Sequence, residues 1–218
     1  MNQENEKSGK WIDRTLVASS VVCLLPLLFS AVIYRNLPEQ IAIHWNSAGE
    51  ADGFAPKALG AFGLPFFLLA VNLICHLSMN NDPKRRGQAK AAVALGKWCV
   101  PVLSLILVPV TLLIALGAPV SVGLLVSCLV GVLLIVLGNY LPKCRQNYTV
   151  GIKLPWTLHD ADNWDKTHRM AGWLWILGGA AFILGGFLGW GWFCAAIVAV
   201  LVLAPAAYSF ALYLRKKT

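Results

Sequence analysis

Six stretches of this chain contain no Asp, Glu, Lys or Arg: Thr15–Tyr34, Ala58–Met79, Trp98–Leu116, Pro119–Leu141, Met170–Leu188 and Trp190–Leu214. Each is 19 to 25 residues long. About 20 apolar residues, rising roughly 1.5 Å apiece, cross a hydrocarbon core about 30 Å thick. The runs therefore predict an all-α membrane protein with six transmembrane helices, a single polytopic domain over 1–218 in the cell membrane. Charged residues make up only 13% of the chain, against roughly 25% in ordinary soluble domains, which leaves no room for a separate soluble domain. The first run is too long for the apolar core of a signal peptide and no Ala-x-Ala pattern follows it, so it reads as a retained helix.

Of the 18 Lys and Arg, 16 fall in the N-terminal tail, in the segments between helices two and three and between helices four and five, and at the C-terminus. Arg35 and Lys57 alone lie on the other side. Basic residues stay on the cytoplasmic face, so both termini are expected inside and 36–57 is expected to be an extracellular loop. The formal net charge of +8 follows from this topology and from attraction to anionic membrane lipid. The cations form no single aromatic-interleaved patch, so no direct contact with nucleic acid is expected. The six cysteines show no metal-ligand spacing and read as small buried hydrophobes.

In the outer loop, Ile41, Ile43 and Trp45 alternate with Ala42 and His44, which predicts a short strand, and the sequences Asn46–Gly49 and Ala51–Gly53 carry turn chemistry. Asn72 and His76 are four apart in helix two and share a face. A polar pair inside a membrane marks a functional site or a bond to a neighbouring helix. No charge falls inside an expected helix, which argues against ion coupling. Asp82 with Pro83 suggests a helix start. Pro101 and Pro109 fall inside helix three and should bend it. Gly172, Gly179 and Gly186 form a stripe for close packing, within the monomer or between copies.

The exception to the apolar pattern is 138–172, an ordered cytoplasmic segment between helices four and five. The part from Asn147 to Leu158 reads as an ordered loop or short extended piece, broken at Gly151 and Pro155. Asp162 then suits a helix cap, with Asp165 in the first turn, so helix five is expected to begin in the cytoplasm. Trp156, Trp164, Trp173 and Trp175 would mark the interface. Tyr148, Trp156 and Trp164 among polar residues argue against disorder. The segment is either a membrane anchor with helix caps or a partner-binding site. His159, Asp160, Asp162, Asp165 and His168 match no zinc spacing, so no metal site, cofactor or enzymatic activity is expected.

The same stretch carries a resemblance. Gly138-Asn139, Lys143, Asn147, Gly151-Ile152-Lys153, Pro155-Trp156-Thr157-Leu158 and Trp164 with Thr167-His168-Arg169 resemble the signature region of the SdpI family of bacterial membrane proteins. Lys153 stands where Arg is common. The outer loop, with His44, Asn46, Gly49 and Asp52, is similar to the small domain that often precedes that signature. The resemblance implies immunity against a membrane-active peptide toxin. It also implies signal transduction, with a cytoplasmic transcriptional repressor as the partner held at the membrane. The residues expected to bind toxin or partner, or to signal, are Asn139, Lys143, Arg145, Asn147, Gly151, Lys153, Trp156, Thr157, Trp164, Thr167, His168 and Arg169, with His44, Trp45 and Asn46 outside. Two other readings stay open at this point: a small-molecule or peptide transporter, and a membrane-embedded metal-dependent enzyme.

Overall fold

In the computed structural model, described for residues 13–46, 49–84 and 90–216, each apolar run becomes a helix. The elements are α1 (Arg14–Leu24), α2 (Pro26–Ile33), β1 (Gln40–Trp45), β2 (Ala51–Pro56), α3 (Lys57–Asn80), α4 (Lys90–Ala115), α5 (Val122–Tyr140), α6 (Pro155–His159), α7 (Ala161–Phe187) and α8 (Gly191–Arg215). The first run is split at Leu25 because Pro26 supplies no amide hydrogen to continue the ladder. With α1 and α2 counted as one span, six helical stretches are long and apolar enough to cross a membrane. Large apolar side chains such as Val32, Leu28, Phe67 and Trp192 point outward, as they do when lipid is the solvent. The chain is a multi-pass membrane protein.

The expected strand is β1, and it pairs with β2, for which the sequence showed only turn signals. Helix three is described from Lys90, ahead of its uncharged run; residues 85–89 lie outside the described residues. Before them, Asp82 accepts the Lys84 amide in a turn (2.8 Å). Because α4 extends below its apolar run, Lys97 lies inside a helix and is buried. This corrects the expectation that no charge does. α4 remains one helix through Pro101 and Pro109.

The chain forms two compact units. In the first, Cys23, Ile41, Leu68, Val108 and Leu112 are the buried centre of an apolar core contributed by α1, β1, α3 and α4. Polar bonds add to this: Ser104 of α4 donates to the Cys23 carbonyl of α1 (2.8 Å), and Ser30 of α2 to the Ala61 carbonyl of α3 (2.8 Å).

The second unit is built on α5, α7 and α8. A Cβ placed on Gly138 would lie 2.7 Å from the Gly172 carbonyl oxygen, and one on Gly179 would lie 2.5 Å from the Gly131 carbonyl oxygen. Gly186 meets the small side chain of Ser127. The two helices run antiparallel with backbone on backbone, an approach only small residues permit. The glycine stripe of α7 is therefore used within the monomer. On the other face of α7, Gly178 meets Leu201, and Gly185 meets Phe193 and Cys194 of α8.

Candidate functional site

The polar segment links α5 to α7 and folds onto α7 and α8. After α5, a single turn at Leu141–Lys143 redirects the chain. From there to Leu154 there is no regular structure, so side chains must satisfy the backbone. Asn147, buried, does most of this. Its Nδ2 donates to the carbonyls of Arg145 (2.8 Å) and Val150 (2.9 Å), while its Oδ1 accepts the amides of Thr149 (2.9 Å) and Val150 (2.6 Å).

The loop then crosses α7 at Gly151. This residue has φ +121, and a Cβ there would collide with the rings of His168 and Trp164. The close approach brings the Ile152 amide to His168 Nε2, which accepts at 2.9 Å, while Nδ1 donates to the Trp164 carbonyl at 2.8 Å. Those two bonds assign the neutral imidazole with its proton on Nδ1. Trp164 stacks on His168, centroids 4.0 Å apart, and its Nε1 donates to the Cys144 carbonyl (2.8 Å). Burial pushes the Cys144 thiol above its ordinary range.

Of the loop or short extended piece expected from Asn147 to Leu158, the part up to Leu154 is an irregular loop, and the part from Pro155 is instead helical. Pro155 opens the short helix α6, where Pro at the first position suits a missing amide. Thr157 closes that helix start, its hydroxyl donating to the Ile152 carbonyl (2.8 Å) and accepting the Leu154 amide (2.9 Å). Trp156 turns to α8, with Nε1 donating to Ser209 Oγ (2.9 Å) and its ring against Phe210 and Tyr213. Thr167 donates to Asn163 Oδ1 (3.0 Å), and Asn163 Nδ2 donates to the Ser209 carbonyl (2.9 Å).

The cap of α7 is Asp160, two residues before the expected Asp162, and it accepts the amides of Asp162 (3.0 Å) and Asn163 (3.2 Å). Its other oxygen accepts from Lys216 (2.7 Å). That hydrogen bond holds the Asp160 carboxyl below the usual carboxylate range and raises the Lys216 ammonium. Lys216 also reaches Asp162 (3.1 Å), which pairs with Lys166 (2.9 Å).

The expected residues thus separate into two sets. Asn147, Gly151, Trp156, Thr157, Trp164, Thr167 and His168 are the inner scaffold. Asn139, Lys143, Arg145, Lys153 and Arg169 are exposed on it, beside exposed Tyr148. Lys143 lies over the Tyr140 ring (5.1 Å), and Lys153 donates to the carbonyls of Tyr148 (3.3 Å) and Thr149 (3.1 Å). Trp164 is fully buried, which corrects its expected place at the membrane interface, and Trp173 is exposed. Asn163, Ser209, Asp160 and Lys216 were missed as members of this set. Ser209 had one signal: it is the sole serine in an otherwise apolar helix.

In the hairpin, His44 Nδ1 pairs with Asp52, and Asn46 both accepts the Glu50 amide (3.0 Å) and donates to its carboxylate (3.2 Å). Gly49 turns the chain at φ +81. Trp45 is half-buried beside them. All four residues of the outer motif therefore serve the turn itself.

Comparison with known proteins agrees with both regions. A family model described as the SdpI/YfhL protein family matches residues 143–209, and one for a domain of unknown function, DUF1648, matches residues 21–69. The chain is 32% identical over 158 residues to the protein named Immunity protein SdpI of Bacillus subtilis (strain 168), covering 72% of this chain and 74% of that one. No solved structure matches the chain.

Proposed function

The chain belongs to the SdpI family, and on that premise we propose that it is a membrane immunity protein, protecting its cell against a membrane-active peptide toxin without catalysis. The observation that carries this reading is the identity to an immunity protein over nearly three quarters of both chains. The bias of Lys and Arg supports an orientation with both termini and the signature segment in the cytoplasm. In that orientation the hairpin with His44, Trp45 and Asn46 faces the toxin's side. The exposed cations Lys143, Arg145, Lys153 and Arg169 face a cytoplasmic partner, for which a transcriptional repressor is the candidate. Toxin shifts the protein's state by binding two arrangements with different affinity.

The test is survival of a sensitive bacterium expressing the chain, challenged with an SDP-like peptide. Protection is expected for the wild type. Arg145→Ala and Arg169→Ala leave the inner scaffold intact, so both should insert normally and lose signalling to a repressor reporter. No protection by inserted wild-type protein would overturn the immunity reading. Full reporter response in both variants would remove those cations from the partner surface.

A further inference from the structure

Within the first unit lies a polar cluster that the immunity reading does not use. Asp13, the cap of α1, accepts the Leu16 amide (2.6 Å) with one oxygen and pairs through the other with Lys97 of α4. Ser19 of α1, Asn72 and His76 of α3 and Lys97 are all at least nine-tenths buried. Ser19 spends its own hydrogen on the Leu16 carbonyl (3.1 Å). It therefore accepts from Asn72 Nδ2 (3.0 Å) and from His76 Nε2 (3.0 Å). His76 Nε2 also faces the Lys97 carbonyl (3.3 Å), which can only accept. The proton of the neutral ring must then sit on Nε2, leaving Nδ1 as a bare acceptor.

That bare nitrogen and Asn72 Oδ1 have no hydrogen-bond partner among the described residues. They sit one helical turn apart on the same face of α3. Two buried acceptors are costly unless donors reach them. A proton on Nδ1 would turn an unpartnered acceptor into an unpartnered donor and leave Asn72 Oδ1 as it was. It would also add positive charge beside Lys97, where the Asp13 carboxylate is already engaged; among the described residues, Asp13 and Lys97 are the charged groups that face His76. A neutral guest with two donors satisfies both atoms and adds no charge. The smallest is water, and a buried polar niche with two to four partners is where water is retained.

We propose that Asn72 Oδ1 and His76 Nδ1 together bind an internal water molecule, a site inside the membrane-spanning part of the first unit. Water makes the joint between α1, α3 and α4 exchangeable.

The experiment is proton-detected solid-state NMR on full-length protein labelled with ¹⁵N-histidine, in vesicles of phosphatidylethanolamine and phosphatidylglycerol near neutral pH. His76→Gln identifies the His76 signals by their loss. The expected result is an unprotonated Nδ1, a protonated Nε2, and a cross-peak from bound water to the His76 ring. Asn72→Leu should abolish or strongly weaken that cross-peak. A protonated Nδ1, in either the other tautomer or the imidazolium, would overturn the proposal, as would an unprotonated Nδ1 with no water correlation.

Discussion

His168 and His76 are both buried imidazoles on helices, and they differ in what the second ring nitrogen meets. His168 has a donor and an acceptor in place, the Ile152 amide and the Trp164 carbonyl. His76 has its Nε2 bonded and, among the described residues, no partner on its Nδ1. The first sits in a network drawn mostly from one stretch of chain, closed around itself by Asn147 and Thr157. The second joins residues up to 84 positions apart, Asp13 to Lys97. A network assembled from one segment can satisfy every group locally. One assembled across three helices depends on their packing, and it is the latter that leaves acceptors open.

The most sensitive point of the closed network is Gly151. Gly151→Ala adds left-handed backbone strain and a clash with two buried rings, together roughly 3 kcal/mol. A thermal unfolding series in detergent should show the largest drop of any variant here, together with lost exchange protection at the Ile152 amide. Unchanged protection would mean the loop is not held against His168.

The open network should break next. Lys97→Met leaves Asp13 partly buried without its cation, at a cost of about 2 kcal/mol, less than for a fully buried pair because the carboxylate is a third exposed. Adding Asp13→Asn should recover most of the loss, and a double-mutant cycle measures the coupling. Burial pushes the Asp13 carboxyl up, but the bonds and charge of Lys97 with the Leu16 amide outweigh it and hold it below its ordinary value.

Trp156→Phe keeps the ring against Phe210 and Tyr213 and removes only the bond to Ser209. About 1 kcal/mol should be lost, with α6 loosened from α8 in hydrogen exchange. The smallest effect belongs to Asp160→Asn, which keeps a cap oxygen and discharges the pair with Lys216. Asp160 titrates lower folded than unfolded, so its contribution is full above roughly pH 4 and fades as pH falls through the folded value. Wild type and variant should therefore converge in stability under acid and separate at neutral pH; parallel curves would sink this assignment.

The same contrast explains what could be read beforehand. The six spans were visible because lipid imposes one requirement, some twenty uncharged residues, that composition displays directly. The signature was visible because Gly151, Trp156, Trp164 and His168 lie close together in sequence. The roles of those residues were not. Asn147 and Trp164 looked like contact residues and are internal braces, since a motif shows what is grouped but not which way it faces. Asp160 was passed over for Asp162 because both are acids near a helix start, and only the backbone at position 160 is extended. The burial of Lys97 was hidden by a helix that outruns its apolar stretch.

The glycine contact between α5 and α7 has a mechanical consequence. With backbone seated on backbone at Gly131–Gly179 and Gly138–Gly172, the glycines themselves offer no side chain to act as a bearing. The Gly131 side of the seam is already flanked by Ile183, so sliding α7 along α5 would drive a branched side chain into a space sized for hydrogen. The pair is a beam locked in register. A disturbance at its Ser127–Gly186 end has to move the whole beam, and with it the loop that ends on His168.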